Sequence, residues 1–268
     1  MHQFENTNSY LIEKSLNGLY FGEKEQISDT LSVIPLISNN PSEAELLTLS
    51  EAYRDRLVEI EETGKVNRVT IRNLSNKALL LTNGEILEGA KQNRTLNDST
   101  LLPSNGQFDI DVSCVEQNRW SANYGEFTPS NDHHNFIAKG NKMNEVNRSK
   151  LETGTKHANQ SNIWRDVQAK QEKLNVHSRT QSINDSYRSV HSELRDYSRK
   201  IRNVPNQVGL IFYIKNTCLG METFANAKLW RTYSNKILKS IFIDAIEIER
   251  DAHRKIFQTV STEREIYN

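Results

Sequence analysis

Two short peptides concentrate the side chains able to do chemistry. GEILEGAKQNR (84–94) places Glu85, Glu88, Lys91, Gln92, Asn93 and Arg94 within ten residues. SCVEQNRW (113–120) adds Cys114, Glu116, Arg119 and Trp120. Glu116 or Glu85 could act as a general base, held at a shifted pKa by charged neighbours. Lys91 and Arg94 could neutralise a diphosphate, with the arginine suited to bidentate contact. Gln92 and Asn93 could read a base or ribose, Trp120 could stack on a base, and Cys114 could be a nucleophile. Each has a plainer reading. The cations could pair with Glu85, Glu88 and Glu116 in a network that sets strand register. The amides could cap loop backbone, and a tryptophan after a strand is commonly core. Cys114 lies on an apolar strand face, where a thiol is inert. Gly89 reads as a bulge or a close backbone approach as easily as a ligand contact.

Strands must hold these peptides. In QFDIDVSCVE (107–116), Phe108, Ile110, Val112 and Cys114 alternate with Asp109, Asp111 and Ser113, and the same period puts Glu116 on the face of Cys114. A carboxylate there needs a partner, and Arg119, Lys91 and Arg94 are candidates. Upstream, TLSVIPLI (30–37) reads as a strand that its proline sends to a sheet edge. Thr48 and Glu51 have capping-box spacing at the head of a short helix, TLSEAYRDR. LVEIEE (57–62) and VNRVTIRNL (66–74) read as two strands across Thr63-Gly64-Lys65. ALLLT (78–82) is followed by Asn83-Gly84, a strong hairpin signal.

Residues 1–28 are polar and weakly patterned, and 121–160, rich in Asn, Ser, Gly and His, read as a long loop carrying His133-His134. Two helical seams follow. Trp164, Val167, Gln171 and Leu174 form the first; Ile183, Tyr187, Val190, Leu194, Tyr197 and Ile201 form the second, with Ser182 as its N-cap. VGLIFYI (208–214) is apolar on both faces and reads as a central strand, turned by Lys215-Asn216 into TCLGMETF. A last helix carries Leu229, Trp230, Tyr233, Ile237, Leu238, Ile241, Phe242 and Ala245 on one stripe.

The chain of 268 residues is long enough for a substantial core, and Lys+Arg and Asp+Glu are balanced at 34 each. The balance hides an asymmetry. Fourteen basic and seven acidic residues lie between Lys139 and Arg202, so a +7 segment joins a −7 body. Internal complementarity explains this, as would a phosphate-bearing partner; the scatter of the charges favours the former over nucleic acid. Two cysteines make neither a disulfide framework nor a metal knuckle. MHQFENTNSYLIEKS lacks the apolar run of a secretion signal, and no run approaches the ~20 apolar residues of a membrane span, so a soluble cytoplasmic protein is expected. Phosphate-binding glycine loops, HExxH, CxxC and a nucleophile elbow are absent, so no cofactor or metal is implied; a metal site would need carboxylates such as Glu85 and Glu116.

GEILEGAKQNR together with VSCVEQNRW resembles the signature of the ARG-and-rhodanese-phosphatase-superfamily-associated protein domain family, in which ARG denotes ADP-ribosylglycohydrolase. The resemblance extends through SVIPLI, LTLSEA and QVGLIFYIKNTCLGMETFANAKLW, with a gap over 121–200. It implies an association with ADP-ribose and phosphatase chemistry. It marks Glu85, Gly89, Lys91, Gln92, Asn93, Arg94, Cys114, Glu116, Arg119 and Trp120 as site candidates.

The expected fold is α+β: an antiparallel, barrel-like core over 29–120, a loop and basic helical insertion over 121–205, and a hairpin and amphipathic helix over 206–268 completing the same domain. The expected function is recognition, with or without processing, of an ADP-ribose-like or other phosphorylated nucleotide. The alternatives are an interaction module, meeting a second copy or a protein partner through helices 163–201, and nucleic-acid binding by the basic insertion.

Overall fold

A computed structural model describes residues 16–119, 125–202 and 204–266, the side chains of 253–266 excepted. In chain order the strands are β1 (Leu19–Phe21), β2 (Glu25–Gln26), β3 (Leu31–Ser38), β4 (Leu47–Thr48), β5 (Val58–Glu62), β6 (Arg68–Asn73), β7 (Leu79–Leu81), β8 (Glu85–Gly89), β9 (Arg94–Leu96), β10 (Thr100–Leu102), β11 (Gly106–Cys114), β12 (Phe127–His133), β13 (Gln207–Ile214) and β14 (Thr217–Thr223). The helices are α1 (Leu49–Arg54), α2 (Phe136–Thr153), α3 (Gln160–Leu174), α4 (Ile183–Ser189), α5 (His191–Lys200) and α6 (Ala227–Ile266). The protein is α+β, as its sequence patterns indicate. Its chain divides into two compact units, one of residues up to Ala44 with Lys200–Ser234, the other of Glu45–Arg199 with the residues from Asn235 onward.

The first unit is an antiparallel sheet in the order β1-β3-β13-β14, with β2 also on β3. β13 is central, and its hairpin turns at Lys215 and Asn216, whose φ angles of 48° and 65° fit a tight two-residue connection. β3 is central too, which corrects the edge assignment drawn from Pro35. The carbonyl of Pro35 accepts from Gly22 N at 2.8 Å, so the residue faces the gap between β1 and β2. The N–H that proline lacks would point into a break in the ladder, where nothing is lost. The 206–223 hairpin extends this sheet through β3, which belongs to the strand-rich stretch of 29–120. Residues 1–15 of the expected polar segment lie outside the described residues, while 19–26 form β1 and β2.

The second unit holds a six-stranded antiparallel sheet in the order β12-β8-β9-β11-β6-β5. Its two edges approach at one bridge, Glu61 to Glu126, and Glu62 N donates to Gly125 O at 3.2 Å, so the sheet curls into a half-barrel. Ile60, Val69, Ile71, Leu87, Leu96, Val112 and Phe127 belong to its apolar core. A second sheet, β10-β7-β4, includes one parallel pair, β4 with β7. α1 begins at Thr48 with both bonds of the capping box in place. Gly84 turns the chain with φ 93°, yet β7 pairs with β10 and β4 while β8 pairs with β9 and β12, so Asn83-Gly84 links two sheets instead of closing a hairpin.

Over its described residues, 125–160, the expected loop is not one. β12, the eighteen-residue α2 and the start of α3 occupy most of it. The buried positions of α2 are Ala138, Lys139, Lys142 and Val146, so lysine stems take up half of its inward face and no apolar stripe is visible in sequence. The seam read over 183–201 divides into α4 and α5 at Val190. Tyr187 and Tyr197 are buried within the chain, Tyr197 edge-on to Phe242 at 5.5 Å. Among the described residues no helix is long and apolar enough to cross a membrane.

Candidate functional site

The antiparallel register of β9 on β11 sets Arg94 opposite Cys114, and β8 returns beside β9 with Leu87 opposite Arg94. Two peptides twenty residues apart in sequence are thereby joined. The turn between β8 and β9 is tight. Gly89 has φ 129°, and a Cβ there would sit 2.5 Å from Glu126 O, so glycine is required by both backbone angle and space.

Arg119 fills this turn. Its Nη1 donates to Ala90 O at 2.7 Å, and its Nη2 to Gly89 O at 3.2 Å and Asn93 Oδ1 at 3.0 Å. Nε and Nη2 also grip Glu116 bidentately, at 3.0 and 2.7 Å. Glu116 takes a third bond from Asn93 N at 3.0 Å. The carboxylate is buried, so this pairing relieves a desolvation penalty of several kcal/mol per ion. β11 ends at Cys114, so Glu116 lies past the strand whose alternation pointed to it.

The outer partners of this cluster belong to one segment. Asn93 Nδ2 donates to Ser182 Oγ at 3.3 Å and Asn184 Oδ1 at 3.2 Å. Gln117 N and Asn118 N both donate to Thr180 O, at 3.1 and 3.0 Å, and Ile183 N donates to Val115 O at 3.0 Å. Gln92 Nε2 binds Gln117 O at 2.8 Å. Ser182 is the N-cap of α4, but its side chain makes no cap bond and serves Asn93 instead. From the other side, Gln171 Nε2 of α3 donates to Ser182 O at 2.8 Å. The loop 175–182 is thus pinned at one end by the two peptides. It borders a cleft of about 510 Å³ whose lining includes Gln168 and Gln171 of α3 and His177, Arg179 and Gln181 of the loop. His177 and Arg179 are exposed. The sequence offered no motif for them.

Arg94 is buried beside Cys114. Its Nη1 donates to Gln92 O at 3.0 Å, its Nη2 lies 3.7 Å from Glu62, and its Nε has no hydrogen-bond partner among the described residues. Burial pulls the guanidinium down from its usual range and pushes the Cys114 thiol up, with Arg94 opposing the latter shift. A fully covered thiol in that state is not a nucleophile. Glu85 lies at the far end of β8, apart from Glu116. Its Oε2 accepts from Thr82 N at 2.9 Å, and Oε1 is 3.8 Å from Lys236 Nζ. The two carboxylates do not share a site, and among the described residues no group of three or more His, Cys, Asp or Glu side chains is arranged for a metal. Lys91 is exposed on the turn, and Trp120 lies outside the described residues.

A second polar region escaped the sequence reading. His133 closes β12 and His134 follows it, both almost fully buried, where a long polar loop was expected. His133 Nε2 and both ring nitrogens of His134 have no hydrogen-bond partner among the described residues. Burial, reinforced by nearby lysines, holds both imidazoles well below their ordinary pKa. Lys139, Lys142, Lys170, Lys236 and Asp244 are buried in the same unit.

A search of curated proteins and of solved structures gave no match to this chain. A family model, that of the ARG and Rhodanese-Phosphatase-superfamily-associated Protein domain, matches residues 19–265. That span includes both signature peptides and every strand and helix that carries their partners, so the chain belongs to the ARG and Rhodanese-Phosphatase-superfamily-associated Protein domain family.

Proposed function

We propose that this protein recognises a phosphorylated, nucleotide-type small molecule, and that the cleft bordered by the 175–182 loop receives it. The observation that carries this reading is the direction in which the signature side chains spend their hydrogen bonds. Asn93 and the 117–118 backbone hold Ser182 and Thr180, so the two peptides frame the loop that bears Arg179 and His177. An exposed arginine suits a phosphate, and the amides of Gln168 and Gln181 suit a base or ribose. Glu116, with both oxygens gripped by Arg119, acts as a positioning residue rather than a proton acceptor. The family description, with its link to ARG and to rhodanese-phosphatase-superfamily proteins, supports a ligand of ADP-ribose or phosphate type.

Calorimetric titration of the full chain with ADP-ribose, NAD, ADP and inorganic phosphate tests the reading. Saturable binding of at least one nucleotide is expected. Arg179→Ala should weaken it by roughly ten- to a hundredfold, the value of a charge-assisted bond of about 1.5–3 kcal/mol, while the far-ultraviolet circular dichroism stays unchanged. Absence of binding to folded protein, or an unaffected Arg179→Ala, overturns it.

The alternative of a nucleic-acid surface on the basic insertion is weakened by the burial of Lys139, Lys142 and Lys170, which removes three of its cations from contact. A protein partner on helices 163–201 would have to meet their polar faces, since Ile183, Tyr187, Val190 and Leu194 are buried inside the chain.

A further inference from the structure

Several side chains that line the cleft beside the 175–182 loop are spent on the protein itself. Gln171 Nε2 holds Ser182 O, and Ser178 Oγ donates to Asp185 and accepts from Ser182 N at 3.1 Å. These bonds fix the shape of the loop. Asn175 and Gln181 stand near its two limits with φ of 56° and 51°. For a glutamine this left-handed conformation is uncommon, and the surrounding contacts hold it in place.

Glu172 is spent differently. It is exposed in the last turn of α3, lines the cleft, and accepts at Oε1 from Gln168 Nε2 at 2.9 Å. Among the described residues no ion pair joins it to a cation, and its neighbour Lys173 pairs with Glu247 at 2.7 Å. A carboxylate only accepts hydrogen bonds, so with Oε1 oriented by Gln168 the other oxygen is left for a donor. Arg179 brings the opposite charge to the same cleft. His177 apart, the lining thus holds one cation and one anion. Such a cleft favours a ligand with an anionic group for Arg179 and uncharged hydroxyls for Glu172, and it disfavours a second anion beside the carboxylate.

Resting on the nucleotide reading of this cleft, we propose that Glu172 reads the 2′-hydroxyl of an unmodified ribose, so that the ligand is a ribonucleotide with a free vicinal diol beside its base. A carboxylate can accept both hydroxyl protons of such a diol in charge-assisted bonds. A 2′-phosphate in the same place meets a like charge, and a 2′-deoxyribose leaves the carboxylate short of a donor. Gln168, which orients Glu172, is a positioning residue. The cleft volume of about 510 Å³ lies within the ~300–1,000 Å³ of small-molecule sites.

ADP-ribose, NAD and ADP share an adenosine ribose, so each is compared, by calorimetric titration of the full chain, with its 2′-deoxy and 2′-phospho analogues. For whichever parent binds, the 2′-deoxy analogue should bind roughly ten- to a hundredfold more weakly, and the 2′-phospho analogue at least as weakly. Glu172→Gln keeps the size of the side chain and removes its charge. The ratio of parent to 2′-phospho affinity should therefore fall by roughly tenfold or more in that variant, a change that a merely structural role would not produce. Failure of every parent to bind folded protein overturns the nucleotide reading and the role of Glu172 together. Parent binding without discrimination at the 2′ position, or discrimination that Glu172→Gln leaves unchanged, overturns the role of Glu172 alone.

Discussion

The signature turn and the interior beside α2 handle buried charge in opposite ways. Around Arg119, cation, carboxylate, amide and backbone carbonyls saturate one another, and Glu116 alone receives three hydrogen bonds. Beside α2, His134 keeps two ring nitrogens without a hydrogen-bond partner among the described residues, and Lys142 meets only neutral oxygens there. The first arrangement specifies geometry, because every partner is needed to offset the desolvation of the others. The second disfavours the protonated forms and leaves basic nitrogen buried in the interior. Sequence peptides dense in charge therefore identify the frame, while the groups whose charge burial suppresses stand in a stretch without an evident pattern.

Breaking the saturated region should have the largest effect. Arg119→Met leaves Glu116 buried with its strongest partner gone, and a loss of about 3–5 kcal/mol in urea unfolding is expected. A change below about 1 kcal/mol would mean that the cluster does not hold the turn.

The pH profile sharpens the contrast. His133 and His134 have folded pKa values pushed well below the unfolded value near ~6.5. Between those limits the unfolded chain binds more protons than the folded one. Stability is therefore retained above pH ~6.5 and is lost progressively as the pH falls below it. Urea midpoints measured from pH 7.5 down to 5 should drop, and His134→Leu should flatten the slope. An unchanged slope would assign the acid sensitivity to other groups.

The smallest effect is expected at Lys142. Lys142→Met keeps the length of the side chain and removes an amine whose charged form burial disfavours, so stability should change by less than about 1 kcal/mol or rise. Lys170→Met provides the contrast, since it strands Asp244 and Glu247. Similar losses in both would show that Lys142 carries a charge.

How much of this was legible depends on the range of the interaction. The capping box of Thr48 and Glu51, the positive-φ pair Lys215-Asn216 and the apolar stripe of α6 each reside within a few residues, and all were read correctly. The two signature peptides were recognisable as a unit, and β9 on β11 joins them. Glu85 was misplaced into that unit because residues share a strand in sequence while its two ends meet different neighbours. Asn83-Gly84 encodes a turn but not the sheets on either side of it. The helix α2 was missed because lysine counts as polar in any periodicity, whereas its four methylenes pack like an apolar residue.

By itself the sequence determined the α+β class, the short-range turns and caps, and the identity of the polar peptides, since φ preferences, side-chain reach and period act between near neighbours. Tertiary structure decided which polar groups are spent on one another. It bound Asn93 to Ser182 and paired Arg119 with the carbonyls of Gly89 and Ala90. It also left Lys142 among neutral oxygens. The physical reason is that the charge state of a group depends on the solvent and partners it loses on burial, and those come from chain segments as far apart in sequence as Glu85 and Lys236.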